Sequence, residues 1–222
     1  FYGYVTQGIV QKEDITENGI KYIKQDGSVG YYQTVNKTTP VAGDVKYVDR
    51  NGDGVVDDND RDIIGNPNPD FTYGFQTKVS WKSLSLSASF NGVQGRDILN
   101  VGNRYNNTPG TKSNNVTRKA FQNMWTDENP SNLYPKSTFV VQNMVMDRYV
   151  EDGSYLRCSD ITLSYVLPAK WTNKIGIKNT SVYASVKNAF VITDYSGYDP
   201  EVNSFAFDGL RPGVDMLSLI HI

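Results

Sequence analysis

The chain has 222 residues, with 22 basic and 24 acidic side chains and a formal charge of -2. No run approaches the ~20 consecutive apolar residues of a membrane-spanning helix, no basic stripe marks a nucleic-acid partner, and 15 Tyr, 9 Phe and 3 Trp make the chain too aromatic for a disordered one. One cysteine, Cys158, excludes an internal disulfide, and one histidine, His221, excludes a multi-histidine zinc site and leaves a Ser-His or Cys-His catalyst only a terminal residue to use.

The chain starts at Phe1, with no charged segment followed by an apolar one, so no signal peptide is visible. The first motif with chemical content is residues 49–60, D-R-N-G-D-G-V-V-D-D-N-D. Counted as a twelve-residue calcium loop, Asp49 stands at position 1, Asn51 at 3, Asp53 at 5, Val55 (through its carbonyl) at 7, Asp57 at 9 and Asp60 at 12. Gly54 falls at position 6, where the chain must turn sharply, and the apolar Val56 at 8 can anchor the loop. Calcium is a hard cation that takes six to eight oxygens, and closely spaced carboxylates repel one another until it binds. Asp60 replaces the usual bidentate Glu, which weakens binding to a degree that extracellular calcium tolerates. Flanking helices are missing, so the expected role is a structural clip on a long loop. The bland alternative is an Asp/Asn/Gly-rich turn without an ion.

Period-two alternation then dominates and predicts strands. Residues 71–81 place Phe71, Tyr73, Phe75, Thr77, Val79 and Trp81 on one face, against Thr72, Gly74, Gln76, Lys78 and Ser80. Residues 84–90 set Leu84, Leu86, Ala88 and Phe90 against serines, and the phase break at Lys82-Ser83 predicts a tight hairpin turn. A long link follows, about 91–154, with a weak helical segment at 116–125. Residues 155–167 alternate again until Pro168, which cannot donate to a ladder; on that alternation Cys158 falls on the polar side. A short helical turn is expected at 168–174, and residues 180–191 form the last alternating segment.

Short turns on one side and long links on the other suit an outer-membrane barrel, as do strands near the ~9–11 residues needed to span and Tyr73, Trp81, Tyr155 and Trp171 near strand ends. A soluble β-sandwich with one wet face gives the same alternation, so the pattern alone leaves both open. Tyr2, Tyr4, Tyr31, Tyr32, Trp125 and Tyr134 are candidates for stacking on sugars, although loop aromatics commonly pack on neighbouring loops. No carboxylate pair outside the calcium motif suggests glycosidase chemistry, and the chain is expected not to be an enzyme.

Several blocks carry a resemblance. Residues 43–65, "GDVKYVDRNGDGVVDDNDRDIIG", continue into "NPNPDFTYGFQTKVSWKSLSLSASFNGVQGRDILN". "MWTDENPSNLYPK", "EDGSYLRCSDITLSYVLP" and "VYASVKNAFVITDYSGYDPEVN" follow in order. Together with the opening "FYGYVTQGIVQ", they resemble the C-terminal region of SusC/RagA-like TonB-dependent outer-membrane transporters.

That resemblance implies an all-β chain whose antiparallel strands form part of a large transmembrane barrel with long extracellular loops. The full barrel would have about 22 strands and an N-terminal plug. It implies energisation by the TonB complex through that N-terminal part, contact with outer-membrane lipid, a SusD-like surface lipoprotein as a lid, and large nutrients, oligosaccharides or peptides, as cargo. The calcium loop would lie on the outer surface, and Lys82-Ser83 and residues 168–179 would be periplasmic turns. The alternative from pattern is a secreted calcium-stabilised β-sandwich that binds glycans.

The resemblance covers residues 1–216. Residues 217–222, LSLIHI, depart from the family's closing strand, and CTG TCT CTT ATA CAC ATC, which can encode them, resembles a transposase adapter used in library preparation. The expectation is a truncated reading frame with a non-native tail that includes His221.

Overall fold

The computed structural model describes residues 1–108, 115–137, 144–173, 176–177, 180–201 and 214–215; the expected non-native tail at 217–222 lies outside them. The chain divides into two compact units, one of Phe1–Pro67, Ile98–Glu151 and Glu201–Ile222, the other of Asn68–Asp97 and Asp152–Pro200.

The first unit is made of very short strands. In chain order these are β1 (Tyr2–Gly3), β2 (Thr6–Ile9), β3 (Ile15–Thr16), β4 (Gly19–Ile23), β5 (Val29–Tyr32), β6 (Thr34–Val35), β7 (Val45–Tyr47), β8 (Val55–Val56) and β9 (Asp62–Ile63). They pair as β1-β9, β2-β7, β3-β4-β5 and β6-β8. No strand this short buries a face by itself, and side chains from β2, β4, β5, β6, β7 and β8 meet in one core. That core holds Tyr4, Ile9, Tyr22, Tyr32, Tyr47 and Val56, with Trp125, Met144 and Met146 brought in from the later segment. Tyr4 meets Tyr47 edge-on at 6.0 Å and Tyr22 lies 5.9 Å from Tyr32. Buried tyrosines require partners for their hydroxyls. Tyr32 accepts from Tyr47 N–H at 3.1 Å, and Tyr22 donates to the Asp49 carbonyl at 2.7 Å.

The second unit is one antiparallel sheet, β10 (Phe71–Trp81), β11 (Leu84–Gln94), β14 (Tyr155–Val166) and β15 (Ser181–Thr193), paired in that order. All four expected strands are present within four residues of their expected ends, and the chain is all-β with antiparallel principal strands. The link between β11 and β14 carries structure of its own: β12 (Asp97–Asn100), α1 (Val101–Asn107), α2 (Arg118–Asn123) and β13 (Val150–Asp152). The helix expected at 116–125 is α2, begun by Thr117, whose hydroxyl accepts from Ala120 N–H. The turn expected after Pro168 is α3 (Ala169–Thr172), and the last short strand is β16 (Val214–Asp215).

Register fixes the two faces of the sheet. Thr77, Ala88, Ile161 and Val186 form one row, Val79, Leu86, Leu163 and Ala184 the next, and Trp81, Leu84, Tyr165 and Val182 the last. The opposite face is polar and cross-linked: Gln76 donates to Ser89, Ser80 meets Ser85 at 2.9 Å, and Ser185 donates to Asp160. Tyr73 lies over Gly92, where an added Cβ would come within 2.3 Å of its ring, so the aromatic fills the space a side chain would take.

The structure corrects the placement of Cys158. β14 carries one extra residue between Asp160, opposite Ser89, and Cys158, opposite Phe90. This bulge at Ser159 inverts the alternation, because a one-residue slip moves every later side chain to the other face. Cys158 therefore joins Phe75, Phe90 and Phe190 on the apolar face, where Phe75 and Phe90 stack at 4.6 Å. It is fully buried. A membrane-impermeant maleimide is expected to leave it unlabelled in the folded protein and to label it on unfolding, whereas Phe90→Ala should open it to a lipid-soluble maleimide. Labelling of the folded wild type from water would contradict this assignment.

Candidate metal loop

Residues 49–60 are held at their centre by β8, whose Val55 and Val56 pair in parallel with Thr34 and Val35 of β6. The carbonyls flanking Val55 are engaged, Gly54 by Gln33 N–H at 2.8 Å and Val56 by Asn36 N–H at 3.0 Å. Successive carbonyls of a strand point to opposite sides, so the Val55 carbonyl is directed away from β6. Val56 is fully buried, as expected of the anchor. Gly54 has φ +86, the left-handed turn that position 6 requires. The loop ends in a three-residue 3-10 turn, Asp58–Asp60, rather than a long helix.

Its carboxylates turn inward onto backbone donors. Asp49 Oδ1 accepts from Gly52 N–H at 2.6 Å and Oδ2 from Gly54 N–H at 2.9 Å. Asp53 accepts from Val55 N–H, and Asn51 accepts from Asp53 N–H while donating to Asp53 Oδ2 at 3.0 Å. Asp57 caps the 3-10 turn by accepting from Asn59 N–H. Asp60 is fully buried and accepts three backbone N–H groups, from Arg50, Asn51 and Asp57. Asp57 and Asp60 thus form a capping box, a signal present in D-D-N-D that the metal count passes over. Among the described residues, no three His, Cys, Asp or Glu side chains converge closely enough to hold a metal ion.

Electrostatics nevertheless mark a loop short of positive charge. Asp49, nearly as buried as Asp60, has its carboxyl pushed above the ordinary 3.8, first by desolvation and further by Asp60 and Asp53, against the lowering effect of the Gly54 and Gly52 N–H groups. Burial first, then Asp49 and Asp60, push the neighbouring Tyr22 hydroxyl up to about 12. The donor chemistry of Asp49, Asn51, Asp53, Val55, Asp57 and Asp60 is all oxygen, which suits a hard cation.

Sequence reading missed the supports of this loop. Tyr22 holds the Asp49 carbonyl, Tyr4 donates to Asp58 at 3.0 Å, Arg61 pairs with Asp58 at 2.6 Å, and Arg50 pairs with Asp62 at 2.5 Å. A cleft of about 310 Å³ beside the loop is lined by Lys24, Gln25, Asp26, Val48, Asp49, Arg50, Asn51 and Gly52. Of the aromatics considered for sugar stacking, Tyr4, Tyr32, Trp125 and Tyr134 are buried, the first three in the core that the short strands share. Tyr2 and Tyr31 remain exposed.

No family model matches the chain. It is 34% identical over 175 residues to TonB-dependent receptor P26 of Formosa agariphila, covering 77% of this chain and 17% of that receptor. It is 34% identical over 165 residues to TonB-dependent receptor SusC of Bacteroides thetaiotaomicron, covering 71% of this chain and 15% of SusC. The chain belongs with the SusC/RagA-like TonB-dependent receptors. Its fold is also that of a solved structure of the RagAB peptide importer in a closed-closed state, with TM-score 0.63 and 24% identity over 97% of this chain and 21% of that one. The chain thus spans about a fifth or less of its relatives' length. These relatives carry the barrel reading over the secreted sandwich.

Two measurements test the loop. Tyr22→Phe leaves a buried carbonyl without its donor, which costs about 1–2 kcal/mol, so hydrogen exchange at Gly52 and Gly54 should quicken roughly tenfold. Because folding raises the Asp49 carboxyl, its contribution is greatest below 3.8 and is lost as pH rises through the raised value. In a chelator, protection at these amides, corrected for intrinsic exchange, should therefore fall as pH rises above 3.8. Asp49→Asn should remove that dependence.

Proposed function

We propose that this chain forms part of the barrel of an outer-membrane transporter that imports large nutrients, oligosaccharides or peptides. It would work with a SusD-like surface lipoprotein and be driven by the TonB complex. The observation that carries the proposal is the four-stranded sheet. Its strands have 11 to 13 residues, with one aliphatic-aromatic face and one hydroxyl-rich face. That length suffices to span a bilayer at a tilt, and those faces suit lipid on one side and a wet lumen on the other. In this reading the chain sits in the outer membrane and has no catalytic role, which its kinship with TonB-dependent receptors supports. The direct test is deletion of the gene that carries this segment. Growth on one oligosaccharide or peptide source should stop, and deletion of the SusD-like partner should weaken growth on the same source. Unchanged growth and uptake on every large nutrient would sink the proposal.

In the same reading, Asp49, Asn51, Asp53, Asp57 and Asp60, with the Val55 carbonyl, hold calcium as a structural clip. The cation would supply the positive charge that the buried Asp49 and Asp60 lack, and Asp60 would exchange backbone donors for the ion. Calorimetric titration of the complete transporter with calcium should show one site at this loop. Asp53→Asn should weaken it about tenfold or more, since one charged ligand is lost. No heat above that of an Asp49→Asn/Asp53→Asn control would remove calcium from the account.

A further inference from the structure

The end of the sheet that carries its two short turns has a composition unlike the rest of the chain. The first turn, Lys82-Ser83, joins β10 to β11, and the second, 167–180, joins β14 to β15. Backbone bonds hold them together: Val166 N–H donates to the Ser83 carbonyl at 2.8 Å and Leu167 N–H to the Thr180 carbonyl at 2.9 Å. The two turns contain Lys82, Lys170, Lys174 and Lys178 and no Asp or Glu. Indeed no acid occurs anywhere in 71–91 or 161–193. Two tryptophans stand at this end, Trp81 and Trp171, 68% and 64% exposed. Lys82 Nζ sits 4.7 Å from the Trp81 ring centroid.

The backbone adds an independent observation. Lys82 has φ +54, a left-handed position where Gly or Asn is the easy choice in a two-residue hairpin loop. A lysine there costs stability that a glycine would not, and strain of this kind points to a use for the side chain.

We propose that this end of the sheet binds anionic phospholipid headgroups, with Lys82 and Lys170 pairing to phosphate and Trp81 and Trp171 lying at the level of the ester groups. The inference rests on the reading that the sheet spans a membrane. The chemistry is that of an interface: an indole is apolar with one polar edge, and an ammonium is a compact partner for phosphate. The apolar rows end at Trp81, Leu84, Tyr165 and Val182, so Lys82 and Lys170 come where hydrocarbon gives way to headgroups. Charge selects the lipid. Lys82 and Lys170, in turns whose sequence holds no acid, distinguish phosphatidylglycerol from the zwitterionic phosphatidylcholine, whereas the tryptophans alone do not.

The test uses the complete transporter carrying this segment, refolded and delipidated in a neutral detergent, then titrated with phosphatidylglycerol or phosphatidylcholine and read by native mass spectrometry. Each lysine at an anionic surface contributes about fivefold in affinity, so K82Q/K170Q should weaken phosphatidylglycerol binding roughly 25-fold and leave phosphatidylcholine unchanged. Lys82→Arg should retain most of the preference. Both side chains are on turns, so the variant should keep the heat-modifiable mobility of a folded barrel. Equal affinity for the two lipids in the wild type, or an unchanged preference in K82Q/K170Q, would overturn the inference while leaving the barrel intact. Failure of the wild type to enter vesicles of either lipid would overturn the membrane reading and this inference with it.

Discussion

A strand immersed in hydrocarbon has no water to satisfy its N–H and C=O groups, so each must find a neighbouring strand. The sheet of β10, β11, β14 and β15 follows that constraint along its length, with ladders that run nearly uninterrupted from Trp81 and Leu84 to Phe71 and Gln94. Where the ladder must give, at Ser159, the extra residue is not left open: its hydroxyl donates to the Ser89 carbonyl at 3.1 Å. The bulge also keeps Cys158 with Phe90 and Phe190, so the apolar face stays continuous despite a slip in the strand's own alternation. Backbone satisfaction and a dry outer face are thus met by one device.

The first unit solves the opposite problem. Its strands are two to five residues long, too short for ladders to satisfy most of the backbone. Side chains take over that task. Asp147 accepts from Thr6 N–H, Asn132 from Ile9 N–H, Asp14 from Gln11 N–H, and Asp49 and Asp60 from five backbone donors between them. The cost of this arrangement is buried negative charge, concentrated where the loop of residues 49–60 turns in on itself. The raised Asp49 carboxyl is the electrostatic sign of that cost, and it is the physical reason a cation at this loop would stabilise the fold as well as fill a site.

The long strands were legible because alternation over ten or more residues has no competing explanation. Phe71–Trp81 could be read to its terminal residue, and the Lys82-Ser83 turn followed from the phase break alone. The parts that escaped are those where one residue decides. Nothing in L-R-C-S-D-I announces that Ser159 is extra, because both phases leave polar and apolar residues plausibly placed. The two- and three-residue strands of the first unit escaped for a related reason: they depend on the tyrosine core that joins them, and a two-residue strand has no period to read. The motif at 49–60 was legible as an oxygen-rich loop, yet its use of Asp57 and Asp60 as a capping box depends on which way the carboxylates turn, which composition does not determine.

On the calcium reading, these supports decide what kind of site it is. A sensor needs an element free to move when the ion arrives, usually a flanking helix that swings. Here the loop is tied at its start, its centre and its end. Tyr22 grips it at Asp49, β6 at Val55 and Val56, and Tyr4 and Arg61 at Asp58, and Val56 is locked in the core. An ion entering such a loop relieves repulsion locally but has no lever with which to move a distant part. On that reading the shorter Asp60 carboxylate would fit the same design, since a calcium-rich exterior would ask for neither high affinity nor a steep response. Calcium in such a loop would act as a clip, adding stability where backbone ladders are too short to supply it.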